Sequence, residues 1–184
     1  MDETTIQDPA EIREQIKHAN FIMQRLDKYI GDSNIKGNFI LSLNSILIGA
    51  ILIKSFEIHE IIYAPTYRCF IYFEQTLLTV LLLLVTMLVL MAVHPFLSDG
   101  NSSKGKYHSL IFFNSIREFE SQNEYLKSFT SQSERELLHD LVSQIYIISK
   151  GLSQKYKYLN WAMILVYCEL VIVVLIILTT ILGV

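Results

Sequence analysis

The sequence predicts an all-α membrane protein with three transmembrane helices and a cytoplasmic bundle of amphipathic helices. Apolar residues make up 52% of the 184 residues, and charged residues only 18%. A soluble domain has about 25% charged residues. The apolar residues are also concentrated in three long stretches. This composition and this distribution together indicate that lipid surrounds part of the chain.

The three apolar stretches fit membrane spans. The first, from about Asn38 to Ile53, is short for a span of about 20 residues. A lysine flanks it at each end, however, and both side chains can extend to the interface. The second, from about Gln75 to Val93, has no charged residue, and the third runs from about Asn160 to the C-terminus. A fully buried helix of a soluble protein is the alternative interpretation for each stretch.

Lysine and arginine residues predict the orientation of the spans. They precede the first span at Arg13, Lys17, Arg25, Lys28 and Lys36. Between the first and second spans only Arg68 clearly lies in the loop. Between the second and third spans lie Lys104, Lys106, Arg117, Lys127, Arg135, Lys150, Lys155 and Lys157. We therefore expect a multi-pass protein with a cytoplasmic N-terminus and long loop, and with the short loop and C-terminus outside.

The short outer loop carries aromatic residues that suit the membrane interface. They are Tyr63, Tyr67, Phe70, Tyr72 and Phe73. The predicted regions are a cytoplasmic N-terminal helix (1–37), the first two spans with the outer loop (38–94), a cytoplasmic helical region (95–159) and the third span (160–184).

An amphipathic helix is predicted before the first span. Asp8 is a good N-cap, Pro9 suits the first helical position, and Gly31 is a natural stop before a short polar linker. Its apolar stripe recurs every three or four residues. The stripe consists of Ile12, Ile16, Ala19, Met23, Leu26 and Ile30.

Two more amphipathic helices are predicted between the second and third spans. After the flexible segment Ser98–Ser103, one helix is expected from about Tyr107 to Phe129. Ser131 and Glu134 form a capping-box pattern for the next helix. Apart from Gly151, no breaker separates that helix from the third span. Its stripe consists of Leu138, Leu141, Ile145, Ile148 and Leu152.

Motifs of enzyme catalysis and metal binding are not found in the sequence. There is no glycine-rich phosphate loop, no Ser-His-Asp candidate and no HExxH motif. The net charge of −3 comes without a basic stripe for nucleic acid. We therefore expect no enzyme, no metal, no cofactor and no nucleic-acid partner.

Glu169 is the one charged residue within the third span. It lies ~13 Å inside the span, where a charge costs about 2.5–3.5 kcal/mol on insertion scales. Thr86 of the second span falls at a similar depth, and Asn44 and Ser45 of the first span fall slightly shallower. Together they predict an intramembrane polar layer. In one interpretation Glu169 is a neutral acid hydrogen-bonded by Asn44 or Thr86. In the other, the layer is a polar interface between subunits that admits water.

The order of several short segments resembles a known family. They are Asn34-Ile35-Lys36-Gly37-Asn38-Phe39-Ile40-Leu41, His94-Pro95, Leu110-Ile111-Phe112-Phe113, Glu124-Tyr125-Leu126, His139-Asp140-Leu141 to Gln144-Ile145, and Lys155-Tyr156-Lys157-Tyr158. This pattern, over nearly the whole chain, resembles the membrane effectors of Pycsar, the bacterial anti-phage system that signals with cyclic pyrimidine nucleotides. One departure is Asn34, because the family often has an acidic residue at that position.

The resemblance implies a bacterial inner-membrane effector. A partner cyclase makes cyclic UMP or cyclic CMP, and the effector senses it on the cytoplasmic side and disrupts the inner membrane. The activating ligand would carry one negative charge and an aromatic base. Basic candidates for the phosphate are Lys36, Arg117, Lys155 and Lys157, and aromatic candidates for the base are Phe112, Phe113 and Tyr125. We expect a homo-oligomer in contact with membrane lipid.

Two other classes remain open. One is a non-enzymatic membrane scaffold that recruits a cytoplasmic partner through its helical stripes. The other is a channel subunit without a nucleotide ligand.

Overall fold

The computed structural model describes residues 8–61, 65–94 and 109–183, and all the regular elements within these ranges are helices. The helices are α1 (Pro9–Ile61), α2 (Pro65–Val93), α3 (Phe113–Ile116), α4 (Gln122–Ser131) and α5 (Glu134–Gly183). The predicted fold class is confirmed, since α1, α2 and α5 are long and apolar enough to cross a membrane. Several predicted features lie outside the described residues: Tyr63, Lys104, Lys106, the segment Ser98–Ser103, and the proposed helix start at Tyr107.

The two longest helices exceed the thickness of a bilayer. α1 has 53 residues and α5 has 50, so at 1.5 Å per residue each is roughly 75–80 Å long, against about 30 Å of hydrocarbon. Each therefore has one membrane-spanning stretch and a long extension. Gly151, the one breaker noted between the predicted cytoplasmic helix and the third span, does not interrupt the chain, since α5 is continuous through that residue.

The predicted helix stop at Gly31 is wrong. α1 begins after Asp8, whose Oδ1 accepts a hydrogen bond of 3.1 Å from the amide of Ala10 as predicted, and it continues through Gly31 to Ile61. A glycine within a helix costs only about 1 kcal/mol. The stripe of less exposed residues resumes beyond it at Ser33 and Gly37. Continued packing therefore outweighs the weak local stop.

Most of the predicted outer loop is also helical. α1 extends to Ile61 and α2 begins at Pro65, which is suited to a first helical position. The aromatic residues Tyr67, Phe70 and Tyr72 are exposed on the first turns of α2. Exposed aromatic rings near the end of an apolar helix suit the membrane interface.

The chain divides into two compact units. The amphipathic unit comprises residues 1–31 and 95–153, and the spanning unit comprises residues 32–94 and 154–184. In the amphipathic unit, both predicted stripes are the less exposed faces of α1 and α5. An ion pair of 2.8 Å joins the exposed side chains of Arg13 and Glu134, and such a pair contributes little to stability.

The predicted helix from Tyr107 to Phe129 is wrong. The described part contains two short helices instead, and Ser121 caps the second, α4, by accepting a hydrogen bond of 3.2 Å from the amide of Glu124.

The predicted capping box of α5 lies two residues too early. The box is formed by Ser133 and Glu136, whose carboxylate accepts bonds of 2.8 Å from the amide and hydroxyl of Ser133. These bonds lower the pKa of Glu136.

Asp140 lies on α5 and binds the segment that precedes α3. This side chain is 1% exposed. Its carboxylate accepts hydrogen bonds of 2.7 Å from Ser109 Oγ and 2.9 Å from the amide of Leu110. The Ser109 hydroxyl also accepts from the amides of Ile111 and Phe112. The amide groups of this non-helical segment have no helical hydrogen bonds, and these side chains supply their partners instead.

We predict that Asp140→Asn loosens this segment, because an amide group cannot accept both of the bonds that the carboxylate accepts. The expected loss in free energy of unfolding is about 1–3 kcal/mol. Hydrogen exchange should become faster at the amides of Leu110 and Phe112. Glu120→Gln, which removes the same charge from an exposed residue of this unit, serves as the control. Equal exchange rates in both variants would contradict the role of Asp140.

The spanning unit has an apolar interior along α1, α2 and α5. The first apolar cluster contains Ile40, Val85, Val89, Ala92, Leu159, Ala162 and Val166. The second apolar cluster contains Leu78, Leu82 and Ile172. On α2, and on α5 from Leu159 to Val166, these residues recur every three or four positions, as knobs-into-holes packing requires. Large apolar residues such as Phe39, Leu83 and Leu170 are exposed on the outer surface, as expected where lipid is the solvent.

Candidate functional site

Asn44 and Glu169 are among the polar side chains buried within the spanning unit. Asn44 is 1% exposed and Glu169 is 0% exposed. Asn44 follows Ile40 of the first apolar cluster by one turn of α1. Glu169 lies on α5 between Val166 of the first cluster and Ile172 of the second. The spacing that buries the apolar residues therefore buries these polar groups as well.

Asn44 links α1 to α2. Its Nδ2 atom donates to the carbonyl oxygen of Leu82 at 3.2 Å and to Thr86 Oγ1 at 3.4 Å. Its Oδ1 atom is buried and has no hydrogen-bond partner among the described residues. Ser45 is exposed, and its hydroxyl donates to the carbonyl of Leu41 in its own helix. Asn44 and Thr86 are therefore joined, whereas Ser45 makes a local contact.

Glu169 is not hydrogen-bonded by Asn44 or Thr86, contrary to the first interpretation of the sequence. Both of its carboxyl oxygens are buried, and neither has a hydrogen-bond partner within the described part of the chain. An unsatisfied buried polar group costs about 1–3 kcal/mol. Any arrangement that brings water or another polar group to Glu169 therefore stabilises it.

A second acid of the spanning unit escaped the sequence analysis. Oε1 of Glu74 accepts a hydrogen bond of 3.1 Å from Thr179 Oγ1, while its Oε2 is buried and unpaired among the described residues. Glu74 directly precedes the uncharged stretch that begins at Gln75, and no local sequence pattern indicates its bond to Thr179, which lies 105 residues away.

A basic and aromatic group occupies one end of the spanning unit. The Lys36 ammonium lies 5.8 Å from the centre of the Tyr156 ring, within cation–π range. Lys155 is 8% exposed, and its Nζ donates to Asn34 Oδ1 at 2.9 Å. Burial lowers the pKa of Lys155, so the protein disfavours its charged form and a nearby anion would offset that cost. Lys157, two residues after Lys155, is exposed.

Four other predicted ligand residues belong to the amphipathic unit. The rings of Phe112 and Phe113 lie 4.9 Å apart, and Phe113 and Arg117 are exposed. The side chain of Tyr125 is fixed in position, because its hydroxyl donates a hydrogen bond to the carbonyl of Leu110 at 3.0 Å. The Tyr125 ring also packs against two further aromatic rings, those of Phe119 and Phe129, at 5.4 and 5.9 Å. Phe113 and Arg117 are accessible to a ligand, whereas Tyr125 contributes to packing.

The amphipathic unit also contains a cavity of about 390 Å³. Its lining consists of Leu110, Ser128, Ser131, Gln132, Glu136, His139 and Asp140. None of the seven predicted ligand residues lines it. The carboxylates of Glu136 and Asp140 in its lining disfavour binding of a phosphate. Within residues 8–61, 65–94 and 109–183, no three His, Cys, Asp or Glu side chains come close enough to hold a metal ion.

Comparison with known proteins identifies the family. The Pycsar effector protein domain, PycTM, matches residues 18–182 and so includes α2, α3 and α4 and most of α1 and α5. No curated protein and no solved structure matches the chain. The family match and the three apolar helices show that the chain is a membrane protein of the PycTM family, the transmembrane effectors of Pycsar anti-phage defence.

Proposed function

We propose that this effector senses a cyclic pyrimidine nucleotide, cyclic UMP or cyclic CMP, and then disrupts the inner membrane, which stops growth or kills the cell. The family match over residues 18–182 carries the proposal. In this proposal the protein is not an enzyme. A partner cyclase is linked to it only through the nucleotide.

The basic group of the spanning unit is the proposed phosphate site. Lys36 and Lys155 bring two cations to one end of α1 and α5, and Lys157 adds a third on an exposed turn. A phosphate there gains charge-assisted hydrogen bonds. The Tyr156 ring, now covered by the Lys36 ammonium, offers a face for the base once the lysine turns towards the phosphate.

The exposed residues Phe113 and Arg117, with Phe112, remain predicted ligand contacts of the amphipathic unit. Asn34 bears on nucleotide choice, because it accepts the hydrogen bond of Lys155. An acid at this position, as is frequent in the family, would pair with the lysine and compete with the phosphate.

The nucleotide test uses detergent-purified protein and a panel of cyclic nucleotides in a calorimetric binding assay. Wild-type protein should bind cyclic UMP or cyclic CMP in preference to cyclic AMP. Combined replacement Lys36→Gln and Lys155→Gln should weaken binding at least about tenfold, since one charge-assisted hydrogen bond contributes roughly 1.5–3 kcal/mol.

A matched control is available elsewhere on α5. Lys150 lies 4.5 Å from the centre of the Tyr146 ring and so makes a cation–π contact within α5, as Lys36 makes one with Tyr156 between α1 and α5. Lys150→Gln should leave nucleotide affinity unchanged. Undiminished binding by the Lys36 and Lys155 double variant would rule out this phosphate site. Capture of a cytoplasmic protein without any dependence on nucleotide would favour a scaffold.

The proposed orientation places the N-terminus and residues 95–159 in the cytoplasm and the C-terminus outside. It rests on the lysine and arginine distribution. An alkaline phosphatase reporter fused at the C-terminus should be active, and one inserted in the segment Ser98–Ser103 should be inactive. Reporters that indicate the same side would show that the third span does not cross the membrane, and the three-span arrangement would be wrong.

The proposed coupling of ligand binding to the membrane lesion operates within the spanning unit of a homo-oligomer. Lys155 and Glu169 lie on the same buried face of α5, together with Leu159, Ala162 and Val166. They are separated by 14 residues of continuous helix, or roughly 21 Å. A nucleotide that binds one helix arrangement more tightly shifts the population towards it. Movement of α5 at Lys155 then displaces Glu169 towards a subunit interface where water enters.

A further inference from the structure

The spanning unit has an open groove between α1 and α5, with a volume of about 640 Å³. Its apolar walls are formed by Phe39, Ile40 and Leu43 of α1 and by Met163 and Val166 of α5. Phe39 is 71% exposed and Met163 is 38% exposed. The groove therefore opens sideways onto the surface of the unit, where the solvent is lipid.

The groove is polar at one end only. Lys36, Tyr156 and Asn160 line that end, and the ammonium of Lys36 lies above the Tyr156 ring. Along both helices the apolar lining residues follow, as far as Leu43 on α1 and Val166 on α5. The groove thus has a cationic and hydrogen-bonding head and an apolar tail of roughly 10 Å, at 1.5 Å per residue.

We propose that this groove binds one anionic phospholipid, with an acyl chain along the apolar walls and the phosphate at Lys36 and Asn160. Lysine near the membrane surface attracts anionic lipid by about 1 kcal/mol per residue. A zwitterionic lipid fits the walls equally well but gains less from the cationic end. The apolar walls and the single cationic end of the groove both match this occupant.

Lys36 and Tyr156 also belong to the proposed nucleotide site, so lipid binding is measured without nucleotide and the two proposals are tested separately. The full chain is reconstituted in bilayers of mixed phosphatidylcholine and phosphatidylglycerol, extracted in mild detergent and examined by native mass spectrometry. Wild-type protein should retain phosphatidylglycerol in preference to phosphatidylcholine. Lys36→Gln should lower retention of phosphatidylglycerol roughly fivefold.

Two bulky substitutions separate filling of the groove from a general effect on the membrane surface. Met163→Trp places a large ring in the groove and should lower retention of both lipids. Leu170→Trp, at a 47% exposed position of α5 outside the groove, should retain lipid like wild type. Lys54→Gln, a lysine already paired with Glu57, controls for the loss of one cation.

Equal retention of the two lipids by wild-type protein would overturn the proposal, and so would retention by Lys36→Gln equal to that of Lys54→Gln. A protein dimer that contains no lipid and dissociates on Met163→Trp would assign the groove to a second copy of the chain instead. Helical content measured by circular dichroism identifies any variant that fails to fold, and Lys36→Gln then provides the decisive comparison.

Discussion

Replacement of Glu169 by glutamine is expected to abolish most nucleotide-triggered toxicity while leaving membrane insertion and nucleotide binding intact. Glutamine keeps nearly the same shape and can form hydrogen bonds, but it cannot carry a charge. Both carboxyl oxygens of Glu169 are buried without a hydrogen-bond partner in the described residues. A rearrangement of the helices that brings water to this carboxyl group therefore lowers its free energy. A charge at this depth costs about 2.5–3.5 kcal/mol while it is away from water, and the glutamine variant lacks the driving force that relief of this cost supplies. Membrane leakage should therefore fall about tenfold or more.

Leakage is measured in cells that express the variant with a cyclase, using a dye that reports membrane potential. Fractionation of the cells establishes insertion, and binding is measured on purified protein. Glu57→Gln, an exposed acid beside Lys54, is the control and should remain toxic. If Glu169→Gln inserts, binds nucleotide and depolarises the membrane as wild type does, Glu169 is only a structural contact and the water path through the polar layer is wrong.

The spans and stripes could be predicted because helix periodicity and apolar composition are local properties of the sequence. The stripe of α1 and that of α5 both lie on the less exposed faces. Local signals failed where a contact between distant residues decides the conformation. Ser109 is 31 residues from Asp140, and no sequence spacing indicates that pair. The capping box of α5 could not be assigned from the sequence, because Ser131 with Glu134 and Ser133 with Glu136 have the same spacing and fit the pattern equally well.

The candidate site could be predicted in part, for a similar reason. Helical spacing indicates that Asn44 and Glu169 share the interior with apolar neighbours. It does not indicate hydrogen-bond partners, which depend on the separation and rotation of the helices. Asn44 therefore bonds to Thr86, while Glu169 is unpaired among the described residues. Likewise, the sequence shows that Lys36 and Tyr156 are near the ends of spans, but only packing of α1 beside α5 brings them together.

The second large effect is expected at Gly37, where helix packing leaves no room for a side chain. An added Cβ would lie 2.8 Å from Val93 Cγ2, 3.3 Å from Val89 Cγ1 and 3.7 Å from Leu159 Cδ2. Val89 and Leu159 belong to the first apolar cluster, so the contact cannot be relieved by solvent. Gly37→Leu should force α1 away from α2 and α5 and destabilise the spanning unit by about 1–3 kcal/mol.

Gly49 offers a matched control in the same helix, because a Cβ added there meets no atom within 4 Å. Alanine is favoured over glycine in a helix by about 1 kcal/mol. Gly49→Ala should therefore raise the melting temperature in detergent, and Gly37→Ala should lower it although the chemical change is identical. The expected shift is roughly 2–4 °C for each kcal/mol. Opposite shifts would show that close packing of α1, and not helix propensity, requires glycine at position 37; equal shifts in the two variants would show that α1 is not packed this tightly in the membrane-spanning unit.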